Sequence, residues 1–488
     1  MSNYGDKIAM ELIKKNYVWL GLALIIIFVN VYSARTLTTK PAVWYDEGIN
    51  IELARNFSEF GQLDLVVAPL TFSGRGPTIG STGYTTTLPL ALVFKIFGFG
   101  LEQARLYMLV WMTALVVCLF IFAQKTWGAD TALLATFLVA TFASFYGNGR
   151  SVMGEIPGFV FILLCLIWYL HKNNIFMAGI FLGLAIISKP SVFIFFIPAF
   201  VLLLLWQKRN FFSNLFKLGA SSFLAFIVWI VIYSATALAP ATWNVLGTHF
   251  SNPYEREGLN SIINIKNNLI AWPHSSTLVY FSLLALVVTV AAYFDRDFYK
   301  KNRPLFLLAG FYSLGAIFYF LKNITIFHYL AAVQLLIFIL LAPSLKVLIN
   351  RFFSRGYSRL LTIVCFSFLI LFQFVYLFTG AKLFYSNAPQ ATFNYVQENY
   401  SPDEIVGLID MPPVAALIPA HRRLQTISTY GLRDLGLNPL SLSAANLPGI
   451  IIFGADRKLE DKYATILDEH YTLDKTIEGK VMIYKKIR

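Results

Sequence analysis

Charge is what this chain has least of. Among 488 residues there are 39 Lys and Arg and 26 Asp and Glu, so 13% are charged while 57% are hydrophobic. An ordinary soluble domain carries about twice that charged fraction, and a disordered chain lacks the aromatic content seen here. Cysteine is equally scarce: Cys118, Cys165 and Cys365 each fall inside an apolar run, which excludes a disulfide framework or a zinc knuckle. No HExxH, Walker or GxGxxG pattern occurs. Collagen-like and coiled-coil rods are excluded as well. The net charge of +13 would suggest nucleic acid in a soluble protein, but its distribution points to a membrane instead, and no nucleic acid is expected.

What the chain does have is long uncharged apolar runs. Spanning a bilayer takes about 20 such residues. Spans are expected near 17–34, 103–123, 130–147, 156–170, 176–188, 191–206, 218–239, 275–293, 305–320, 329–349 and 360–379. The fold class is therefore an α-helical polytopic membrane protein of about eleven transmembrane helices with a small C-terminal soluble α/β domain. The first run follows Lys14 and Lys15 but begins too late and runs too long for a cleaved signal peptide, so it is read as an anchor. Threading the spans alternately gathers Lys and Arg in the short loops of one side, which the positive-inside rule assigns to the cytoplasm. The N-terminus is then cytoplasmic in a plasma (inner) membrane, and the tail is extracytoplasmic.

Two regions are too polar to span. Residues 1–382 read as a membrane domain with a large outer loop at 35–100, and 383–488 as the separate α/β domain. The outer loop holds an amphipathic pattern after Asp46 (Ile49, Leu53, Phe57, Phe60), the Gly/Pro/Thr-rich stretch SGRGPTIGSTGYTTTLP, and a short apolar segment, Leu88 to Phe99, read as interfacial or re-entrant. In the tail, helix-like ATFNYVQENY and YATILDEHY alternate with the strand-like runs EIVGLI, VAALI, PGIIIFG and KVMIYKK. The loop 240–273, with His249 and Glu255, reads as a solvated connection.

Ionisable groups beside a membrane are costly and seldom accidental. The most pointed cluster is Trp44, Tyr45, Asp46, Glu47, directly after the first span. Adjacent carboxylates cannot share one face of a helix, so one can face a site while the other holds local structure. A carboxylate here could deprotonate an acceptor hydroxyl or amine as general base. The competing reading makes Asp46 an N-cap. Glu155, in GRSVMGEIPG, could bond a sugar hydroxyl or the acceptor, or simply pair with Arg150.

The run WYDEGINIELARNFSEFG, at the outer end of a first span, resembles the first-loop signature of polyprenyl-phosphate-sugar glycosyltransferases. This is the membrane GT-C class, which includes protein O-mannosyltransferases and the aminoarabinose transferases acting on lipid A. FKIFGFGLEQARL, with Arg105, resembles a Phe-Gly pair followed by Ala-Arg; GRSVMGEIPGF resembles the second acidic motif, LGLAIISKPSVF the Lys-Pro step between two spans, and FHYL the start of a late helix. One departure is TGYTTTLPL, where the family has Pro-Pro-Leu. The resemblance implies a GT-C-like fold and transfer of a sugar from a polyprenyl-phosphate donor to a lipid, glycan or protein acceptor. It implies Asp46 as catalytic base, with Glu47 supporting it or helping to hold a cation, and Glu155 as a further catalytic candidate.

A departing lipid phosphate needs positive charge. The candidates on the outer side are Arg75, Arg105, Arg150, Lys189, Lys322 and His328, with Lys189 foremost because Pro190 holds it in a break between two apolar runs. Tyr45, beside Asp46, and Tyr329, beside His328, join them as substrate-facing groups. Arg105 could equally lock the interfacial helix to the second span. No nucleotide cofactor is expected, and whether a divalent cation takes part is left open. A secondary transporter or flippase for a polar or lipid-linked substrate is the alternative, although such proteins usually show two repeated halves, and none is visible here.

Overall fold

The computed structural model describes residues 2–74, 82–208, 210–236, 261–322, 327–353, 355–379, 385–426, 447–454 and 461–487. Nine helices lead up to the site: α1 (Ser2–Ala34), α2 (Tyr45–Phe60), α3 (Tyr84–Phe97), α4 (Leu101–Trp127), α5 (Ala129–Ala140), α6 (Ala143–Arg150), α7 (Glu155–Leu166), α8 (Ile175–Ser188) and the short α9 (Pro190–Phe193). Further long helices follow through Thr379.

Over the described residues each of the eleven expected spans is largely helical, but length divides them. Among the described residues, eight helices are long and apolar enough to cross a membrane, or nine if α5 and α6, bent by 68°, count as one. The shorter apolar helices α3, α7 and α8 lie beside them, and the expected number of about eleven counts α7 and α8 as spans. At 1.5 Å per residue, the 14-residue α8 reaches only about 21 Å, short of a hydrocarbon core of about 30 Å. Helix α7 with its π-turn to His171 is likewise short. These two helices pack side by side and stop at the same end, where Glu155 opens one and Lys189 follows the other. The backbones nearly touch there: a Cβ on Gly154 would lie 1.7 Å from the Ser188 carbonyl oxygen, so only glycine fits. The protein is an integral membrane protein. The segment expected to be interfacial or re-entrant forms α3, 14 residues long.

The C-terminal part carries a five-stranded sheet in the order β4-β3-β5-β7-β6, built from β3 (Val406–Ile409), β4 (Arg423–Thr426), β5 (Ile450–Gly454), β6 (Tyr471–Ile477) and β7 (Val481–Lys486). β3 runs parallel to both β4 and β5, while β7 is antiparallel to β5 and β6. Alternation along the strands fills both faces. Val406, Leu408, Ile450, Ile452 and Ile483 pack with Val396 and Val414, whereas Ile451 and Phe453 meet Leu467 and Tyr471 on the other side. The run VAALI, expected as a strand, instead continues from a helical turn at Pro412–Ala415. A two-stranded hairpin, β1 (Val66–Ala68) and β2 (Thr71–Phe72), lies in the outer loop.

Helix α2 lies between the two parts. With about 100° per residue, Ile49 and Leu53 fall on a face that packs with Ile187 and Trp229. Ile51 and Ala54 meet Leu90, Ala104 and Val152. The third face meets the C-terminal domain. There Glu52 pairs with Arg423 at 2.6 Å, both side chains fully buried, and accepts from the Gln425 amide at 2.9 Å and from the Val66 amide at 2.9 Å. Burial pulls the Arg423 guanidinium below its ordinary pKa, and the Glu52 charge opposes that shift. Arg55 donates to the carbonyls of Ala416, Leu417 and Ile418 and lies over the Phe99 ring at 4.1 Å. Arg423→Met leaves Glu52 as an unpaired buried carboxylate and is expected to cost about 3–5 kcal/mol, read as a lowered thermal midpoint of the purified full chain. Adding Glu52→Leu is expected to recover part of the loss, because it removes the stranded charge.

Candidate active site

The local sequence explains why Asp46 points away from its neighbour. Trp44, in extended conformation, occupies the N-cap of α2, and its amide donates to Glu47 Oε2 at 3.3 Å, so the return bond of the cap comes from Glu47. Asp46 is therefore not the cap. Both acids sit in the first helical turn, where the helix dipole favours negative charge. Glu47 is turned inward and fully buried. It takes two bonds from the Arg105 guanidinium, at 2.9 and 2.8 Å, and one from the Val152 amide at 3.3 Å. About 100° around the helix, Asp46 remains 37% exposed and meets the Lys189 ammonium at 3.4 Å.

Lys189 owes its position to Pro190. A residue before proline is pushed out of the helical region, and Lys189 accordingly adopts φ −157° and ψ 91° between the end of α8 and the start of α9. The break is pinned by a 2.8 Å bond between the Thr85 and Ser188 hydroxyls and by the close approach at Gly154. Only 3% of the Lys189 side chain is exposed. Its ammonium lies 3.9 Å from Glu155 Oε1, and His328 Nε2 lies 3.9 Å from that same oxygen. Glu155 is 1% exposed, yet neither of its oxygens has a hydrogen-bond partner among the described residues, nor has His328 Nε2. At 3.9 Å the gaps exceed hydrogen-bonding distance. Tyr329 packs its ring against those of His328 and Tyr319, at 4.4 and 5.3 Å, and so braces the imidazole.

Four groups thus meet: Asp46, Lys189, Glu155 and His328. Arg105 and Arg150 lie elsewhere. Arg105 does not face this quartet; it is fully buried, with its remaining bonds going to the carbonyls of Leu37 and Pro41. Arg150 does not pair with Glu155. It donates to Thr36 Oγ1 and the Lys40 carbonyl, at 2.8 and 3.0 Å, and stands 5.1 Å from the rings of both Tyr32 and Tyr146. Both arginines fold the turn after α1, which is why a phosphate-facing role does not suit them. Lys322 ends the helix Arg296–Lys322, where its carbonyl accepts from the Asn264 side-chain amide. Arg75 and residues 240–260 lie outside the described residues. Tyr45 turns toward the C-terminal domain, its hydroxyl donating to Asp410 Oδ1 at 3.0 Å. The sequence carried no signal for Asp410, Glu52 or Arg423, since no motif links positions more than 360 residues apart.

Among the described residues, no three His, Cys, Asp or Glu side chains converge as metal ligands. The Lys189 ammonium stands between Asp46 and Glu155, at 3.4 and 3.9 Å.

Residues 86–233 match the family model described as dolichyl-phosphate-mannose-protein mannosyltransferase. No curated protein matches the chain. Among solved structures, ArnT from Cupriavidus metallidurans bound to undecaprenyl phosphate is 13% identical, with a TM-score of 0.63 over 97% of this chain and 98% of that one. The archaeal oligosaccharyltransferase AglB from Archaeoglobus fulgidus, in complex with an inhibitory peptide and a dolichol-phosphate, is 12% identical, with a TM-score of 0.54 over 93% of this chain and 71% of that one. The chain therefore has an ArnT-like fold along nearly its whole length, and its residues 86–233 are similar to the dolichyl-phosphate-mannose-protein mannosyltransferases.

Proposed function

We propose that this protein is a membrane glycosyltransferase that moves one sugar from a polyprenyl-phosphate carrier to a lipid, glycan or protein acceptor on the extracytoplasmic face. The observation that carries this reading is the buried Lys189 ammonium lying within 3.4 Å of Asp46 and 3.9 Å of Glu155. The ArnT-like fold, the undecaprenyl phosphate of that neighbour and the dolichol-phosphate of the other support the donor class. The basic loops support a cytoplasmic N-terminus. The helix that carries Asp46 meets the C-terminal domain through Tyr45 and Glu52, which supports reading site and tail on one side, the outer one by the same loop charges.

In this reading the acceptor hydroxyl or amine gives its proton to Asp46 as its lone pair attacks the anomeric carbon. The bond between that carbon and the phosphate oxygen breaks, and the electron pair leaves with the lipid phosphate. Lys189 and His328 stand where the departing charge needs support. The unpaired oxygens of Glu155 accept from sugar hydroxyls, which fill the 3.9 Å gaps. Glu47, Arg105 and Arg150 hold the loop that presents Asp46.

The test is lipid and glycan mass spectrometry of cells with and without the protein. Asp46→Asn at equal membrane level is expected to remove the glycosylated product, a loss of at least about a hundredfold; a profile matching wild type would sink the assignment. Because Lys189 supplies the charge between the carboxylates, transfer in isolated membranes is also expected to survive a metal chelator. Loss of product on chelation, restored by a divalent cation, would contradict that part.

A further inference from the structure

Helix α2 is held from two directions by different parts of the chain, and Asp46 lies between the holds. On one side Glu47 is bound to Arg105, and Asn50 donates to the Val152 carbonyl at 2.8 Å and to Thr82 at 3.0 Å. On the other side Tyr45, Gly48, Glu52 and Arg55, spaced as one helical face, meet the C-terminal domain. The contact at Gly48 is very close: an added Cβ would lie 2.5 Å from the Pro412 carbonyl carbon, so the first turn of α2 rests directly on the turn that follows β3.

That turn begins with Asp410. Its φ is +56°, a left-handed conformation that Asp and Asn tolerate better than other side chains bearing a Cβ. Its amide donates to the Thr426 carbonyl at 2.9 Å, so Asp410 is fixed to the carboxyl ends of the neighbouring parallel strands β3 and β4. From that anchorage its carboxylate accepts the Tyr45 hydroxyl at 3.0 Å. Tyr45 is the residue immediately before Asp46.

We propose that Asp410 is a positioning residue for the reaction. Acting through the Tyr45 hydroxyl, it sets the rotation of the first turn of α2 and so aims the Asp46 carboxylate at Lys189, which makes the C-terminal domain part of the active centre. The proposal rests on the reading of Asp46 as the base. Its leverage is geometric. A side chain extends about 5–6 Å from the helix axis, so a twist of about 10° shifts the carboxylate by about 1 Å, and a misplacement of that size can cost on the order of a hundredfold in rate. The buried pair Glu52–Arg423, two turns along the helix, resists translation of α2 but not rotation at its first residue.

The experiment compares Tyr45→Phe, Asp410→Ala, Asp410→Asn and Asp46→Asn at matched membrane levels. Product is read by mass spectrometry in cells. The affinity of each purified full chain for undecaprenyl phosphate, used as the probe, and its thermal midpoint are read alongside. Tyr45→Phe and Asp410→Ala are expected to lower product about tenfold or more with probe affinity unchanged; the midpoint is expected to hold in Tyr45→Phe and to fall in Asp410→Ala only by the cost of alanine in the left-handed backbone. Combining the two is expected to do less harm than the sum of the single changes, since they share one bond. Asp410→Asn keeps both an accepting oxygen and tolerance of the left-handed backbone, and is expected to recover most of the product. If Asp46→Asn abolishes product while Tyr45→Phe and Asp410→Ala match wild type, the positioning role is wrong and the base assignment stands. If Asp46→Asn retains product, both fall. If losses at Tyr45 and Asp410 track a fall in midpoint or probe affinity, or Asp410→Asn is no better than Asp410→Ala, the role is structural and the proposal is overturned.

Discussion

A charge buried in an apolar chain must find its opposite, and α2 meets that constraint three times. Three of its four carboxylates, Asp46, Glu47 and Glu52, point about 100° or more apart around the helix, and each faces a different cation: Lys189 at the break between α8 and α9, Arg105 on α4, and Arg423 on β4. Removing one partner from such a pair is strongly destabilising, because the other is left charged and dry. The three pairs therefore act as locators, fixing the helix against the membrane helices and the C-terminal sheet together. What separates them is water. Glu47 and Glu52 are sealed with their arginines, while Asp46 alone stays partly open. Two pairs are closed to water; the third is open to it.

The acid–cation pairing also divides what the sequence made legible from what it hid. The Asp46–Glu47 doublet after the first apolar run was readable, as was Lys189, because a lysine before proline in an otherwise apolar stretch has few structural excuses. The spans were readable as helices from their apolar runs, but their depth was not. α7 and α8 are short because they end at a polar centre, and hydropathy does not register where a helix stops for a site. Arg105 and Arg150 looked like phosphate ligands, since nothing local shows that Glu47 and the carbonyls of residues 37–41 consume them. The N-cap reading of Asp46 failed by one register step, because Glu47 closes the cap on Trp44.

The C-terminal domain was visible as alternating helix and strand, yet its bearing on the site was not. Glu52 with Arg423, and Tyr45 with Asp410, join residues that only the finished fold brings together. β4 and β6 escaped notice because their sequences, RLQT and YTLDKTI, are polar. In β4 that polarity has a purpose: Arg423 and Gln425 serve Glu52 rather than a hydrophobic core.

In the proposed reaction one ammonium group, that of Lys189, stands where the lipid phosphate leaves. The most direct measurement is the affinity of the purified chain for undecaprenyl phosphate when Lys189→Met is combined with Glu155→Gln, so that no fully buried carboxylate is stranded beside it. Affinity is predicted to fall at least about tenfold relative to Glu155→Gln alone, in keeping with loss of a charge-assisted bond. An affinity equal to that of Glu155→Gln would place the phosphate elsewhere and contradict the account.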